Sequence, residues 1–437
     1  MTANRTILID GYNLALEKGT GVATYARNLS YEVHNLGHSV SVLYGNPAAM
    51  SRDPLLREIS FFDGASPCRG GMLDIAGQAF HGLRAPLGYS AVEVPITGQV
   101  ISRTFDARLP RYNMIVNAAD VFRRSQAGFK IWGRLSHVDL PQKPDLAHWT
   151  YPLPIRVKGV PNIYTFHDIV PLRLPYTTLD HKRHYLALLR KLERTADHIV
   201  TVSESSKRDL IEILGIVPDR ITNTYQSVEI PAALRDKSDE QVAREVEGLV
   251  PVDYKNYYLF WGSIEPKKNI GRMIEAYLVS KVDGPLVIVG AQAWKSEGEL
   301  RLLNGITEAR GRNRGANSGK RVIQLPYAPF PLLVSLIRGA RAALFPSLYE
   351  GFGLPVLEAM MLGTPVICSN TASLPEIAGD AALMIDPYDT AALTNAIRRI
   401  DADADLRAEL TRQGLAQAAR FSTAAYRDRL RALYQRF

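Results

Sequence analysis

Residues 342–358 constrain the fold of this chain more than any other segment. Ala342-Ala343-Leu344-Phe345-Pro346-Ser347 is a short apolar run of the kind that forms a parallel strand buried on both faces. Tyr349-Glu350-Gly351-Phe352-Gly353-Leu354 then turns on glycine, and Pro355 suits the first turn of a helix, where its missing N–H costs nothing. Strand, loop and helix in this order are one unit of an α/β fold. The unit leaves Glu350 on the loop at the strand end and carries Glu358 about one helical turn in, with seven residues between the two carboxylates. Between them the N–H groups of Phe352, Gly353 and Leu354 would face an anion at the positive end of the helix dipole. Two acceptors for hydroxyls that flank an anion-binding helix start describe a site for a sugar nucleotide.

Taken singly, either glutamate would read as a solvated charge or an ion-pair partner. The whole string is more specific. It resembles the E-x7-E signature of retaining, nucleotide-sugar-dependent glycosyltransferases with the GT-B fold, in particular the large group-4 family. Ala359-Met360-Met361-Leu362-Gly363-Thr364-Pro365-Val366-Ile367 and Leu374-Pro375-Glu376 continue that family's pattern. The resemblance covers essentially the whole second half. In the first half it rests on the Gly19–Gly21 loop, on Thr165-Phe166-His167-Asp168-Ile169 and on Val202-Ser203-Glu204-Ser205-Ser206, and it fades from Gly64 to Pro144. It looks most like bacterial mannosyltransferase-like members that build surface polysaccharides.

Composition agrees with a two-domain soluble protein. At 437 residues the chain exceeds one ordinary core, and 46% hydrophobic with 22% charged residues is a globular balance. No run reaches the roughly 18–20 apolar residues of a membrane span, and the start of the chain has no apolar core of signal-peptide length. Cys68 and Cys368 are the only cysteines and lie far apart, which argues against a disulfide framework or a cysteine metal site and for a reducing, cytoplasmic compartment. The net charge of +8 suits an anionic membrane surface, anionic substrates or nucleic acid. No RNP or zinc-finger signature accompanies it, so nucleic acid is not the expected partner. From Arg69 to Arg134 nine basic residues stand against four acidic ones.

Strands and helices alternate in both halves, as parallel sheets with helices on both faces require. Thr6–Asp10, Ser39–Tyr44, Asn162–Phe166 and His198–Val202 read as strands of the first. Tyr257–Trp261, Leu286–Val289, Val322–Leu325, Ala342–Phe345 and Val366–Cys368 read as strands of the second. With the resemblance, the expected organisation is an acceptor-binding Rossmann-like domain over residues 1–230, elaborated over about 64–144, and a linker over 231–251. A nucleotide-sugar-binding Rossmann-like domain follows over 252–422, and a last helix over 423–437 crosses back to the first domain.

Four further constellations carry chemistry. Gly19 and Gly21 sit in a turn that opens a helix, where backbone N–H groups can approach a diphosphate. By itself a glycine pair is an ordinary turn; the resemblance implies that this loop faces the donor phosphates. Gly262-Ser263-Ile264-Glu265-Pro266-Lys267-Lys268-Asn269 follows a strand and resembles the family's donor-diphosphate motif, in which an arginine precedes the lysine. Here Gly262 or Ser263 stands near the arginine position, so Lys268 is the better-matched cation. His167 ends a strand and is implied to lie near the donor sugar. Asp401-Ala402-Asp403 has the metal-binding pattern of another glycosyltransferase fold, but it stands between two helical segments where capping by Asp405 accounts for it. No cluster elsewhere has metal-ligand spacing, so neither a metal nor another cofactor is expected.

Asn113–Leu135 carries an apolar stripe (Ile115, Ala118, Ala119, Phe122, Phe129, Trp132) with Arg123, Arg124, Lys130 and Arg134 largely off it. As one helix it is either an interfacial membrane contact or a helix packed on the core with a solvated basic face. The resemblance completes the expectation. Lys268 and the amides at Phe352, Gly353 and Leu354 hold the departing nucleoside diphosphate, with Ser263 on the same turn. Glu350 supports the sugar as positive charge develops, Glu358 binds the ribose diol, and the acceptor hydroxyl attacks from the front face. The sugar would be a hexose, mannose from GDP-mannose, and the acceptor a saccharide on a polyprenyl diphosphate at the cytoplasmic face of the membrane. The alternatives are an epimerase-like enzyme of the same fold and a catalytically silent sugar-nucleotide-binding subunit.

Overall fold

The computed structural model describes residues 4–15, 21–47, 51, 53–63, 88–100, 109–292 and 322–437. In the first half the strands are β1 (Thr6–Asp10), β2 (Ser39–Tyr44), β3 (Tyr89–Ser90), β4 (Val92–Val94), β5 (Met114–Asn117), β6 (Ser136–Asp139), β7 (Leu146–Trp149), β8 (Ile155–Arg156), β9 (Asn162–Thr165), β10 (His198–Thr201) and β11 (Ile221–Asn223). The second half has β12 (Tyr258–Trp261), β13 (Leu286–Val289), β14 (Val322–Leu325), β15 (Ala342–Phe345), β16 (Val366–Ser369) and β17 (Ala382–Ile385).

These strands build two Rossmann-like sheets. The first runs β11-β10-β9-β7-β1-β2-β5-β4 and is parallel except for β4, which pairs antiparallel with β5. The second, fully parallel, runs β14-β13-β12-β15-β16-β17. A small sheet, β3-β6-β8, stands beside the first. Every residue of β9, β10, β12, β13, β15 and β16 is buried. Helices cover both faces of such strands, which is why they read as apolar runs rather than as alternating patterns. The direction in which parallel strands are added reverses between β1 and β7 in the first sheet and between β12 and β15 in the second. Ligands of open α/β sheets bind in the crevice beyond the carboxyl ends of the strands at such a point.

Two expectations need correction. Residues 113–135 are not one helix. Met114–Asn117 is β5, hydrogen-bonded between β2 and β4, and Asp120 at φ 55° turns the chain into a helix over Val121–Trp132. Ile115 therefore belongs to the sheet, and the apolar stripe shortens to residues such as Phe122 and Phe129, both buried. A three-residue apolar run fits either period, and pairing with β2 decides it. Nor are residues 231–251 a bare linker. Asp239–Leu249 is a helix that opens with a capping box between Ser238 and Gln241. Its Val242 and Val246 are buried, and it packs on the helix Phe330–Gly339 of the second half. The charges on its solvent face mask a four-residue apolar spacing.

The last helix, Thr423–Tyr434, packs on Gly21–Asn35 of the first half. Arg427 Nε donates to buried Glu32 at 2.6 Å, and the Tyr434 hydroxyl meets His148 Nδ1 at 2.7 Å. Among the described residues no helix is long and apolar enough to cross a membrane.

Candidate active site

The loop after β15 and the turn after β12 flank the reversal point of the second sheet, and they brace one another. Leu348 N donates to Lys267 O at 2.7 Å. Asn269, at φ 59°, donates from Nδ2 to Pro346 O at 3.0 Å and to Pro387 O at 2.7 Å. The Ser373 hydroxyl shares its proton between Phe352 O at 2.7 Å and Glu350 O at 2.9 Å. Gly353 caps the helix Leu354–Met361 at φ 108°, where a Cβ would also lie 2.8 Å from Leu374 Cδ2. Only glycine suits both demands.

This bracing brings Glu350 and Lys268 together, with Nζ 2.6 Å from Oε1 and each side chain 12% exposed. Burial alone would raise the Glu350 carboxyl; Lys268 and Lys267 outweigh it and hold the group below its ordinary value. The same logic runs in reverse at Lys267, where burial favours the neutral amine but Glu350 and Glu265 keep it charged. A second cation therefore stands at the turn although Ser263, exposed, occupies the place near the arginine of the resembling motif. Lys267 is that cation.

Glu358 has a different environment. Its Oε2 accepts from Trp261 Nε1 at 2.8 Å, at the end of β12. Burial pushes its pKa up to about 7 against the pull of the indole N–H. The two glutamates, with seven residues between them, thus sit in environments that move their carboxyls in opposite directions.

From the first sheet, His167 follows β9 and donates from Nε2 to Thr150 O at 2.8 Å, with the Tyr25 ring edge-on at 4.8 Å. Burial lowers its pKa in spite of the Thr150 bond and Asp168, so the ring is neutral and Nδ1 is its acceptor. Asp168 Oδ1 accepts from Val170 N at 3.0 Å and so shapes the loop. Gly21 opens the helix Gly21–Asn35, and a Cβ there would lie 3.3 Å from Leu354 Cδ1. Two helix starts, one from each sheet, therefore meet across the cleft. Gly19 lies outside the described residues.

Other expected residues lie elsewhere. Arg123 and Arg124 face Asp120 at 3.5 and 3.8 Å, Lys130 sits in the last turn of the same helix, and Arg134 follows its Gly133 cap. Asp401 binds the Tyr258 hydroxyl at 2.7 Å and pairs with Arg341. Asp403, not Asp405, caps the helix Ala404–Ala418, accepting from Leu406 N at 2.8 Å. Among the described residues no three His, Cys, Asp or Glu side chains gather as a metal site.

Three buried side chains escaped the sequence reading. Asp10, fully buried at the end of β1, accepts from Thr150 N at 2.5 Å, and burial pushes its pKa up to about 6. An acid closing the apolar run Thr6-Ile7-Leu8-Ile9 was the available signal. Trp261 closes its strand just before Gly262 and gave a comparable one. His148 had none: it lies inside the core and burial drives its pKa down to about 3.

Residues 97–229 match the family model for Glycosyltransferase Family 4, and residues 244–417 match that for Glycosyl transferases group 1. The chain belongs to these glycosyltransferases, and its fold is GT-B. O-antigen chain mannosyltransferase B of Escherichia coli is 34% identical over 271 residues, which are 60% of this chain and 66% of that protein. The serotype-specific mannosyltransferase WbdA of the same organism is 31% identical over 285 residues, 63% of this chain and 34% of WbdA. The chain thus spans just under two thirds of the first relative and a third of the second. The structure of Anabaena HepE in complex with UDP-glucose shares the fold, with a TM-score of 0.63 over 99% of this chain and all of that one at 14% identity.

Proposed function

We propose that this protein is a retaining hexosyltransferase that moves a hexose from a nucleotide sugar to a saccharide acceptor in the assembly of a surface polysaccharide. The Lys268–Glu350 pair carries this reading. A buried cation and a carboxylate kept ionised stand at 2.6 Å beside a glycine-capped helix start, at the reversal point of the second sheet.

In this reading the donor diphosphate lies against the helix start at Leu354, with the first domain's helix start at Gly21 opposite. Phe352 and Gly353 supply amides beside it, and Ser263 borders it. Lys268, with Lys267 behind it, stabilises the charge that develops on the departing nucleoside diphosphate. When the diphosphate draws Lys268 toward itself, Glu350 is released to bind sugar hydroxyls and to support the oxocarbenium-like state. Glu358 and Trp261 receive the ribose diol. Neutral His167 meets the sugar from the first domain through its acceptor nitrogen. The acceptor hydroxyl attacks from the front face, and its proton passes to the leaving phosphate oxygen. No metal is required, because the cations and amides perform its electrostatic role.

The donor is GDP-mannose; the names of the mannosyltransferase relatives support the mannose, and the family resemblance of the motif supports the GDP. The acceptor is lipid-linked, at the cytoplasmic face of a membrane. Thermal shift against a panel of nucleotide sugars, followed by transfer to a mannose-containing acceptor, tests the reading. Stabilisation and turnover with GDP-mannose are expected. Binding without transfer would favour a silent subunit, and release of an epimerised nucleotide sugar would favour the epimerase alternative.

A further inference from the structure

The loop that carries Glu350 is gripped from the first domain by one helix start. Ser203 caps the helix Glu204–Leu214, its Oγ accepting from Ser206 N at 3.0 Å, and the same hydroxyl donates to Gly351 O at 2.7 Å. Ser206 Oγ lies 2.9 Å from His167 O and 3.2 Å from Gly351 O. A hydroxyl has one proton, so Ser206 shares it between the carbonyl of His167 and the carbonyl next after Glu350. Both serines are fully buried. Glu376 extends the joint from the second domain, accepting from Glu204 N at 2.7 Å and from Ser205 N at 3.1 Å.

Gly351 approaches the first domain more closely than any side chain allows. A Cβ there would lie 2.9 Å from His167 O and from Asp168 Cβ. Its own backbone is outside the left-handed region, so alanine would suit the loop itself. Only the facing domain forbids it. The two groups assigned to the sugar, His167 and Glu350, come from different sheets, and Ser206 and Gly351 are where their backbones meet.

We propose that Ser206 and Gly351 are positioning residues that set His167 against Glu350, so that the reacting pair is assembled only when the two domains are closed on each other. This rests on the proposed transferase reading. It goes beyond it by assigning the alignment of the second domain's carboxylate to a hydroxyl of the first. Simple packing between domains would predict something else: loss of stability and of nucleotide affinity together. Positioning predicts a split, because the cation, the ribose-binding carboxyl and the helix start assigned to the nucleoside diphosphate (Lys268, Glu358 and Leu354) lie in the second domain, with Gly21 facing them from the first.

The experiment compares Ser206→Ala, Ser206→Thr and Gly351→Ala with the full-length wild type. Loss of one shared hydrogen bond should lower kcat about 5- to 10-fold in Ser206→Ala. Forcing the loop away by a methyl group should lower it about 100-fold in Gly351→Ala. Nucleoside diphosphate affinity by calorimetry should stay within about twofold in Ser206→Ala and fall far less than kcat in Gly351→Ala, where the Phe352 and Gly353 amides also shift, since binding groups and reacting geometry separate in this way. Ser206→Thr, which keeps the hydroxyl, should recover most of the Ser206→Ala loss. Amide exchange at Phe352 and Gly353 reports the loop without turnover and should quicken in Ser206→Ala and Gly351→Ala. Unchanged kcat and exchange, or affinity falling in step with kcat, would overturn the assignment. Quickened exchange in a protein that transfers no sugar would keep the positioning role and overturn the transferase reading instead.

Discussion

Replacing Glu358 by glutamine should stabilise the protein at alkaline pH and spoil its nucleotide site. Burial raises this carboxyl from 4.5 to about 7 in the folded state. The folded protein therefore holds a proton that the unfolded chain has released between those two values. Stability from this group is complete below pH 4.5 and is lost as pH rises through 7, where the buried group must take on charge. The difference of about 2.5 units, at 1.36 kcal/mol each, amounts to about 3 kcal/mol. Glu358→Gln keeps the shape and an oxygen acceptor for Trp261 Nε1 but never ionises. Without nucleotide, its advantage over wild type should be near zero at pH 4.5 and about 3 kcal/mol at pH 8.5. For a domain of this size that is roughly 6–12 °C in Tm. Calorimetric scans at the two pH values measure it. Nucleoside diphosphate affinity should meanwhile fall by about tenfold, the worth of a hydrogen bond to a charged group. An advantage equal at both pH values would show that the carboxyl is not held neutral by burial, and the division of labour between the two glutamates would go with it.

The Lys268–Glu350 pair gives a second prediction. Lys268→Ala leaves a buried carboxylate without its nearest partner and should cost about 3–5 kcal/mol in thermal unfolding, with most of it restored in the Lys268→Ala/Glu350→Gln double variant. Glu350→Gln alone should lower kcat by about 100-fold or more while nucleoside diphosphate binding is kept or improved, since Lys268 is then free for phosphate; equal loss of both would contradict the assignment. Activity should survive EDTA, and Asp401→Asn should act on stability through Tyr258 and Arg341 rather than on turnover; an absolute need for added Mg²⁺ or Mn²⁺ would refute metal independence. Co-sedimentation with anionic but not neutral liposomes should fall when Arg123, Arg124, Lys130 and Arg134 become glutamine, by less than the about 1 kcal/mol per charge of free surface cations, because Asp120 already faces two of them. Equal binding of this variant and wild type would move the membrane contact elsewhere.

What the chain showed in advance, and what it hid, follow from the range of the forces involved. The unit β15, loop and helix was legible because each part is specified within a few residues: an apolar run, glycines where the backbone turns, and Pro355 at a helix start. The strands β12, β13 and β16 were legible for the same reason. β5 was not, since Met114-Ile115-Val116 fits a helix stripe as well as a strand until β2 pairs with it. The helix Asp239–Leu249 was hidden under its own charges, although the capping box at Ser238 was there to be read. Nothing local could reveal that Gly351 lies against His167, because that contact joins two sheets and the glycine would have served its own loop as alanine.

The site shows where spacing stops and environment begins. The two glutamates of the motif stand a fixed distance apart in the sequence, yet one is ionised and the other close to half protonated at neutral pH. Lysines on the turn after β12 set the first; burial beneath Trp261 sets the second. Both determinants come from the same strand and its following turn, residues 261–268, some eighty to a hundred positions upstream. A carboxylate that must stay charged beside a developing cation and one that can share a proton with a diol have different requirements. The neighbouring strand meets both because β12 and β15 are adjacent at the point where the sheet reverses its order. The chemistry assigned to each glutamate is thus a property of the pairing of β12 with β15, and a change on β12 as small as Trp261→Phe should move the pH dependence of nucleotide binding while leaving Glu350 ionised.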